Sequence, residues 1–221
     1  MNKIALFDFC ETLANFQTAD PFVDYVRKNH PSKRMLFFDK LKLFHDRLRI
    51  FGAFEHLLLP QNSISKKIKL YQLKGFHKKE LVLLAEQYYK NVVKPNLINE
   101  MINELLRLKN EYKIYLVSGG YDLYLKYFVE DFGLDGYFSS KIGFIDDICT
   151  GRMEGEDCMY ENKVKTLENS FNKAGCEIIA YSDSKTDMPL LAWADEGIVV
   201  SKKHSQKWAK DNKLKEIIWY E

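Results

Sequence analysis

Short, mainly apolar runs alternate along this chain with longer stretches whose apolar residues recur every three or four positions. Lys3–Phe9, Lys113–Val117 and Glu177–Tyr181 are runs of the first kind. Continuous apolar character over so few residues predicts strands of a parallel sheet, covered on both faces. A further strand is expected at Gly197–Val200, and glycines with alternating residues over 136–155 predict short strands and a hairpin. Between these lie amphipathic stretches. Asn96–Asn110 places Leu97, Met101, Leu105 and Leu108 on one side, and Tyr121–Phe132 stops at Gly133. Glu161–Ala174 ends before Gly175, Met188–Trp193 reads as a short helix, and a short α/β tail closes the chain.

From position 15 to 94 the texture is helical throughout. Phe22, Val23 and Val26 follow Asp20-Pro21, which reads as an N-cap with proline in the first turn. Helices are then expected over Met35–Ile50, Ser63–Leu73 and His77–Val93, as a compact bundle with its aromatic residues forming its own core. Strands alternating with helices elsewhere predict an α/β fold, a doubly wound, Rossmann-like parallel sheet with helices on both faces. The expected division is a core of residues 1–14 and 95–221 with an inserted helical cap domain at 15–94.

With 221 residues the chain can bury one sizeable core plus an insertion. No apolar run approaches the roughly 20 residues of a membrane span. The apolar opening runs straight into Asp8 and lacks the layout of a signal peptide, so a cytoplasmic address without membrane attachment is expected. Of the cysteines Cys10, Cys149, Cys158 and Cys176, none forms a C-x-x-C pair and none has an Arg six residues on, which disfavours metal-thiolate and cysteine-phosphatase chemistry. Charge is divided. Residues 15–94 hold 16 Lys or Arg against 7 Asp or Glu, and the remainder holds 17 against 24. A basic insertion facing an acidic core suits an anionic substrate between them, although most such lysines are expected to be solvated. No nucleic-acid reader motif is present.

In sheets of this type ligands bind beyond the carboxyl ends of the strands. There the sequence places Asp8, Ser118 and Asp183, with Asp187 four residues further on. Two carboxylates, at Asp8 and Asp183, offer the hard oxygen donors that suit Mg²⁺. Ser118, with the amides of Gly119 and Gly120 at the expected start of a helix, offers donors to an anion, and Lys163 a positive charge. Such a set suits phosphoryl transfer, whose catalysis is largely positioning and charge neutralisation.

Taken together these segments resemble the haloacid dehalogenase superfamily, in the subclass with a helical cap after the first motif that includes phosphoserine phosphatase. Leu6-Phe7-Asp8-Phe9-Cys10-Glu11-Thr12-Leu13 is similar to the family's first motif, Val117–Gly120 to the second, Glu161–Leu167 to the third and Tyr181–Leu190 to the fourth. The resemblance implies Asp8 as nucleophile and metal ligand, Thr12, Ser118 and Gly119 as phosphate-binding residues, and Lys163 between nucleophile and phosphate. It implies Asp183 as metal ligand, Asp187 as its acidic neighbour, Mg²⁺ as cofactor and a small phosphorylated molecule as substrate. Gln17 falls where the family places a substrate contact, and Lys165 is the alternative to Lys163.

One position departs. The pattern has a second Asp two residues after the nucleophile, as general acid and base and as a backbone-carbonyl ligand to the metal. Here it is Cys10, which retains the carbonyl but not the carboxyl. Glu11 is expected to point away on an extended segment. Three readings stay open: a phosphatase acting through an aspartyl-phosphate on Asp8, a phosphotransferase on the same scaffold, and an impaired phosphate-binding regulator. Oligomeric state is not legible.

Overall fold

The strand β1 (Asn2–Phe7) is buried from Ile4 to Phe7, as its unbroken apolar run requires. It lies at the centre of a sheet ordered β4-β3-β2-β1-β5-β6-β7. The strands are β2 (Lys113–Tyr121), β3 (Gly136–Ile145), β4 (Ile148–Glu154), β5 (Cys176–Ser182), β6 (Glu196–Lys202) and β7 (Lys215–Trp219). All neighbours pair in parallel except β3 and β4, the expected hairpin. The computed structural model describes residues 2–30 and 64–220. The helix expected over Met35–Ile50 lies outside them, as does the start of the one expected over Ser63–Leu73.

Between β1 and β2 come the helices α1 (Ala19–Asn29), α2 (Ile64–Tyr71), α3 (Lys78–Tyr88) and α4 (Asn99–Leu108). The turn Tyr89–Val93 continues α3 as a π-helix. The chain leaves and re-enters the sheet region side by side: the Asn15 amide donates to the Asn96 carbonyl and the Ile98 amide to the Leu13 carbonyl, at 2.9 and 2.8 Å. Later helices are α5 (Asp122–Phe132), α6 (Glu161–Glu168), α7 (Met188–Trp193) and α8 (Lys207–Asp211). No helix among the described residues is long and apolar enough to cross a membrane.

Because side chains alternate across a strand, the sheet divides its apolar residues between two cores. Ala5, Phe7, Leu116 and Tyr181 face the cluster built with α1, α3, α4 and α5. Ile4, Leu6, Val117 and Ala180 face the cluster built with Leu167 of α6, Leu190 and Leu191 of α7, and Ala209 of α8.

Several expectations are corrected. Among the described residues the aromatic side chains of the inserted helices do not form a separate core: Phe22 and Tyr88 pack against Tyr124, with centroids 5.3 Å apart in both pairs, inside the cluster that covers the sheet. Helix α1 starts at Ala19, so Asp20 lies in its first turn rather than capping it. Helix α6 stops at Glu168 instead of Ala174. Beyond it Asn172 turns its side chain onto the Ala174 amide, the local competition by which Asn favours turns over helix. Strand β2 runs on through Ser118-Gly119-Gly120 to Tyr121, with a register break between Ser118 and Tyr121, and α5 begins only at Asp122.

Candidate active site

The carboxyl ends of β1, β2 and β5 open into a cavity of about 270 Å³ lined by Asp8, Cys10, Gln17, Ser118, Gly119, Lys163, Asp183 and Asp187. Ala19 and Asp20 of α1, Lys66 of α2, Met159, Ser184 and Thr186 complete its wall. Asp8 follows β1 directly and its amide donates to the Tyr181 carbonyl of β5, so the central strand pair fixes its backbone.

Charge organises the floor. The Lys163 ammonium, in the first turn of α6, donates to Asp8 Oδ1 at 2.7 Å and to Asp187 Oδ2 at 2.6 Å, all three side chains being buried. Ser182 Oγ donates to the same Asp187 oxygen at 2.7 Å. Lys165, the alternative in sequence, is exposed and bonds only its helix neighbour Asn162. Burial pulls the Lys163 ammonium down, but Asp8 and Asp187 outweigh it and hold it above the ordinary lysine range.

Thr12 lies beneath the cavity rather than in its lining. Its hydroxyl accepts from the Asp183 amide at 3.0 Å and approaches Asp183 Oδ1 at 3.2 Å and Asp8 Oδ2 at 3.4 Å. One hydroxyl therefore sits between the two carboxylates. Burial pushes the Asp8 carboxyl up to about 6, against the pull of Lys163. Burial, and then the charges of Asp8 and Glu11, push Asp183 up to about 8. One ammonium faces three carboxylates, and that uncompensated negative charge fits a divalent cation. No group of three or more His, Cys, Asp or Glu side chains forms a full chelating set among the described residues. The hydroxyl flanked by the Asp8 and Asp183 carboxylates gathers hard oxygen donors of the kind that a divalent cation such as Mg²⁺ accepts.

Ser118 is fully buried. Its Oγ accepts from the Gly120 amide at 3.1 Å, so that amide, expected as a donor to an anion, is already engaged. Gly119 has a steric reason to be glycine: a Cβ there would stand 2.6 Å from Met159 Cγ.

The Cys10 thiol faces away from acid chemistry. It contacts Thr18 Oγ1 at 3.1 Å and accepts from the Thr18 amide at 3.5 Å; Thr18 Oγ1 in turn bonds the Tyr124 hydroxyl at 2.7 Å. Burial and then the Asp8 charge push the thiol up to about 11. Glu11 is not on an extended segment: its φ of 56° is left-handed, and its exposed carboxylate accepts from Gln17 Nε2 at 2.6 Å. All four cysteines are free thiols.

Nothing in the sequence singles out Lys66. It is one lysine of a basic stretch expected to be solvated, yet its ammonium is buried and bonded to Gly119 and Asp157. The partners lie 53 and 91 residues away, so no local pattern could find them.

The chain resembles known proteins in sequence and in fold. The family model for haloacid dehalogenase-like hydrolases matches residues 5–192. The chain is 26% identical over 193 residues to a phosphoserine phosphatase from Methanocaldococcus jannaschii, covering 86% of this chain and 81% of that protein. In structure it is similar to a protein of unknown function from Bordetella pertussis Tohama I, with a TM-score of 0.79 and 20% identity over 98% of each chain. A substrate-bound phosphoserine phosphatase complex superimposes with a TM-score of 0.65 at 21% identity, covering 98% of this chain and 93% of that one. At these identities the structural matches establish the fold.

Proposed function

The chain belongs to the haloacid dehalogenase-like hydrolases, and from that premise we propose that it is a magnesium-dependent phosphatase of a small phosphorylated metabolite, with Asp8 as nucleophile. The observation that carries this reading is the double contact of Lys163 with Asp8 and Asp187 at the floor of a cavity that Ser118 and Asp183 also line. The similarity to phosphoserine phosphatases supports phosphate esters as the substrate class. In the same reading residues 1–14 and 95–221 are the catalytic core and 15–94 is the cap domain that selects the substrate, with Gln17 a cap-side contact.

A carboxylate oxygen of Asp8 attacks phosphorus in line with the ester oxygen. The new Asp8–phosphorus bond forms as the phosphorus–ester bond breaks, and the leaving oxygen takes a proton from solvent. Water then attacks phosphorus and gives up a proton to solvent as the Asp8–phosphorus bond breaks, releasing inorganic phosphate and restoring Asp8. Lys163 holds Asp8 in place and neutralises charge gathering on the phosphoryl oxygens; Ser118 donates its hydroxyl to one of them. Thr12 keeps Asp8 and Asp183 in register. Asp8, Asp183 and the Cys10 carbonyl would hold Mg²⁺, which supplies charge neutralisation for the transferred group.

Cys10 bears on the rate. A half-buried thiol tied to Thr18 and held well above the ordinary thiol range is a poor proton donor and a poor base, and loss of acid–base assistance costs about 10²–10⁴ in rate. Alkyl phosphates should therefore turn over slowly, and acyl or aryl phosphates, whose leaving groups need no proton, faster. The same position supports a second reading in which the phosphoenzyme persists and passes its group to an acceptor other than water. Phosphate release from a broad ester panel with Mg²⁺, beside Asp8→Asn, tests the first. Turnover that appears only with an added alcohol or amine acceptor would select the second, and tight ester binding without turnover would reduce the protein to a phosphate-binding regulator.

A further inference from the structure

The Lys66 ammonium crosses from an inserted helix to the segment that carries Ser118. Helix α2 is held against β4 at Gly151, where a Cβ would stand 3.1 Å from the Tyr71 Cα. From that position Lys66 donates to the Gly119 carbonyl at 2.6 Å, to Asp157 Oδ1 at 2.6 Å and to Ser140 Oγ at 3.2 Å. Ser140 Oγ donates to the same Asp157 oxygen and accepts from the Cys158 amide, so the far side of the ammonium is anchored in the core. The lysine is only 6% exposed, and a buried charge this well paired is bound to one place.

A planar trans peptide points its carbonyl and its N–H in opposite directions. The carbonyl that Lys66 holds belongs to Gly119, and the N–H of that same peptide is Gly120's, which donates to Ser118 Oγ at 3.1 Å. Fixing one end fixes the other. With its acceptor side occupied by Gly120, the Ser118 hydroxyl keeps its own proton for an incoming anion. A Cβ at Gly119 would crowd Met159 Cγ at 2.6 Å and stand in ordinary contact, 3.5 Å, with Lys66 Nζ.

We infer that Lys66 is a positioning residue: by gripping the Gly119 carbonyl from the inserted helix it orients the Gly119–Gly120 peptide and, through it, the anion-donating hydroxyl of Ser118. This rests on the reading of Ser118 as a phosphoryl contact. It makes the placement of α2 a condition for a fully formed anion site, so the insertion contributes to phosphoryl binding as well as to selection.

The test uses the Lys66→Met/Asp157→Asn double variant, which removes both members of the Lys66–Asp157 ion pair, with Asp157→Asn alone, which keeps the ammonium. Affinity for inorganic phosphate with Mg²⁺ is measured by calorimetry, and exchange of the Gly120 amide by NMR. The double variant should weaken phosphate binding about tenfold when Ser118 is present and less than about twofold in a Ser118→Ala background. Its Gly120 amide should exchange faster, while the Asp8 amide, bonded in the sheet, and the Gly120 amide of Asp157→Asn stay as in the parent. Equal losses in both backgrounds, or an unchanged Gly120 amide in the double variant, would overturn the inference. A parent protein that binds no phosphate would instead defeat the Ser118 reading, and Gly120 exchange would still decide whether Lys66 orients the peptide.

Discussion

Lys163 and Asp8 are 155 positions apart in the chain and 2.7 Å apart in the fold. The same ammonium reaches Asp187 on its other side, so a single cation ties β1 to the segment after β5. Removing it leaves two buried carboxylates without their partner. Lys163→Ala should lower kcat/KM at least about 10²-fold and cost about 3–5 kcal/mol of stability in metal-free protein. Steady-state kinetics and urea unfolding measure the two separately; near-parental values of both would show that the contact does not matter.

The carboxylate excess sets a pH dependence in the absence of metal. Asp183 is held up to about 8 and Asp8 to about 6, both above the roughly 3.9 of an unfolded Asp. The folded state therefore binds these protons more tightly than the unfolded state. Their contribution is complete below about pH 4 and is lost as pH rises through 6 and 8. Between pH 6 and 9 the EDTA-treated protein should lose Tm, Mg²⁺ should restore it, and Asp183→Asn should flatten the slope while removing the Mg²⁺ response. A metal-free Tm at pH 8.5 that Asp183→Asn fails to raise would contradict this.

At Cys10 the Thr18 amide and hydroxyl already converge on the side chain, and an Asp carboxylate could take up both contacts. Cys10→Asp should raise kcat for alkyl phosphates by about 10² or more and change aryl phosphates far less, because only the former need a proton on the leaving oxygen. An equal effect on both, or none, would remove acid–base chemistry from the account of this position.

Gly119→Ala brings its new methyl group against Met159 Cγ at 2.6 Å. The crowding should cost about 1–3 kcal/mol in thermal or chemical unfolding and weaken phosphate binding as the segment shifts. Met159→Ala in the same chain should recover most of both. No recovery would place the strain elsewhere.

Much of this was written in local pattern. The runs Ile4–Phe7 and Ile178–Tyr181 announce buried parallel strands, because a strand covered on both faces has no polar alternation to show. The polar residues that follow them fall, by the geometry of parallel sheets, at one edge. Less visible were features that depend on where a pattern stops. Helix α6 ends at Glu168, short of a turn in which Asn172 Oδ1 accepts from the Ala174 amide, and β2 outruns its apolar stretch because Ser118-Gly119-Gly120 stays in the sheet through an irregular register. The turn at Glu11 was missed for a related reason: a left-handed residue without glycine leaves no mark in composition.

The sequence by itself determined where the candidate residues fall along its elements, with Asp8 and Asp183 just after strands and Lys163 in the first turn of a helix, because those positions follow from periodicity over a few neighbours. Only the tertiary structure decided what each side chain touches. Thr12 between two carboxylates, the Cys10 thiol turned to Thr18 and the Lys66 ammonium on Gly119 are contacts across the fold. Hydrogen bonds and ion pairs act over about 3 Å, and which atoms come that close is settled by packing of the whole chain.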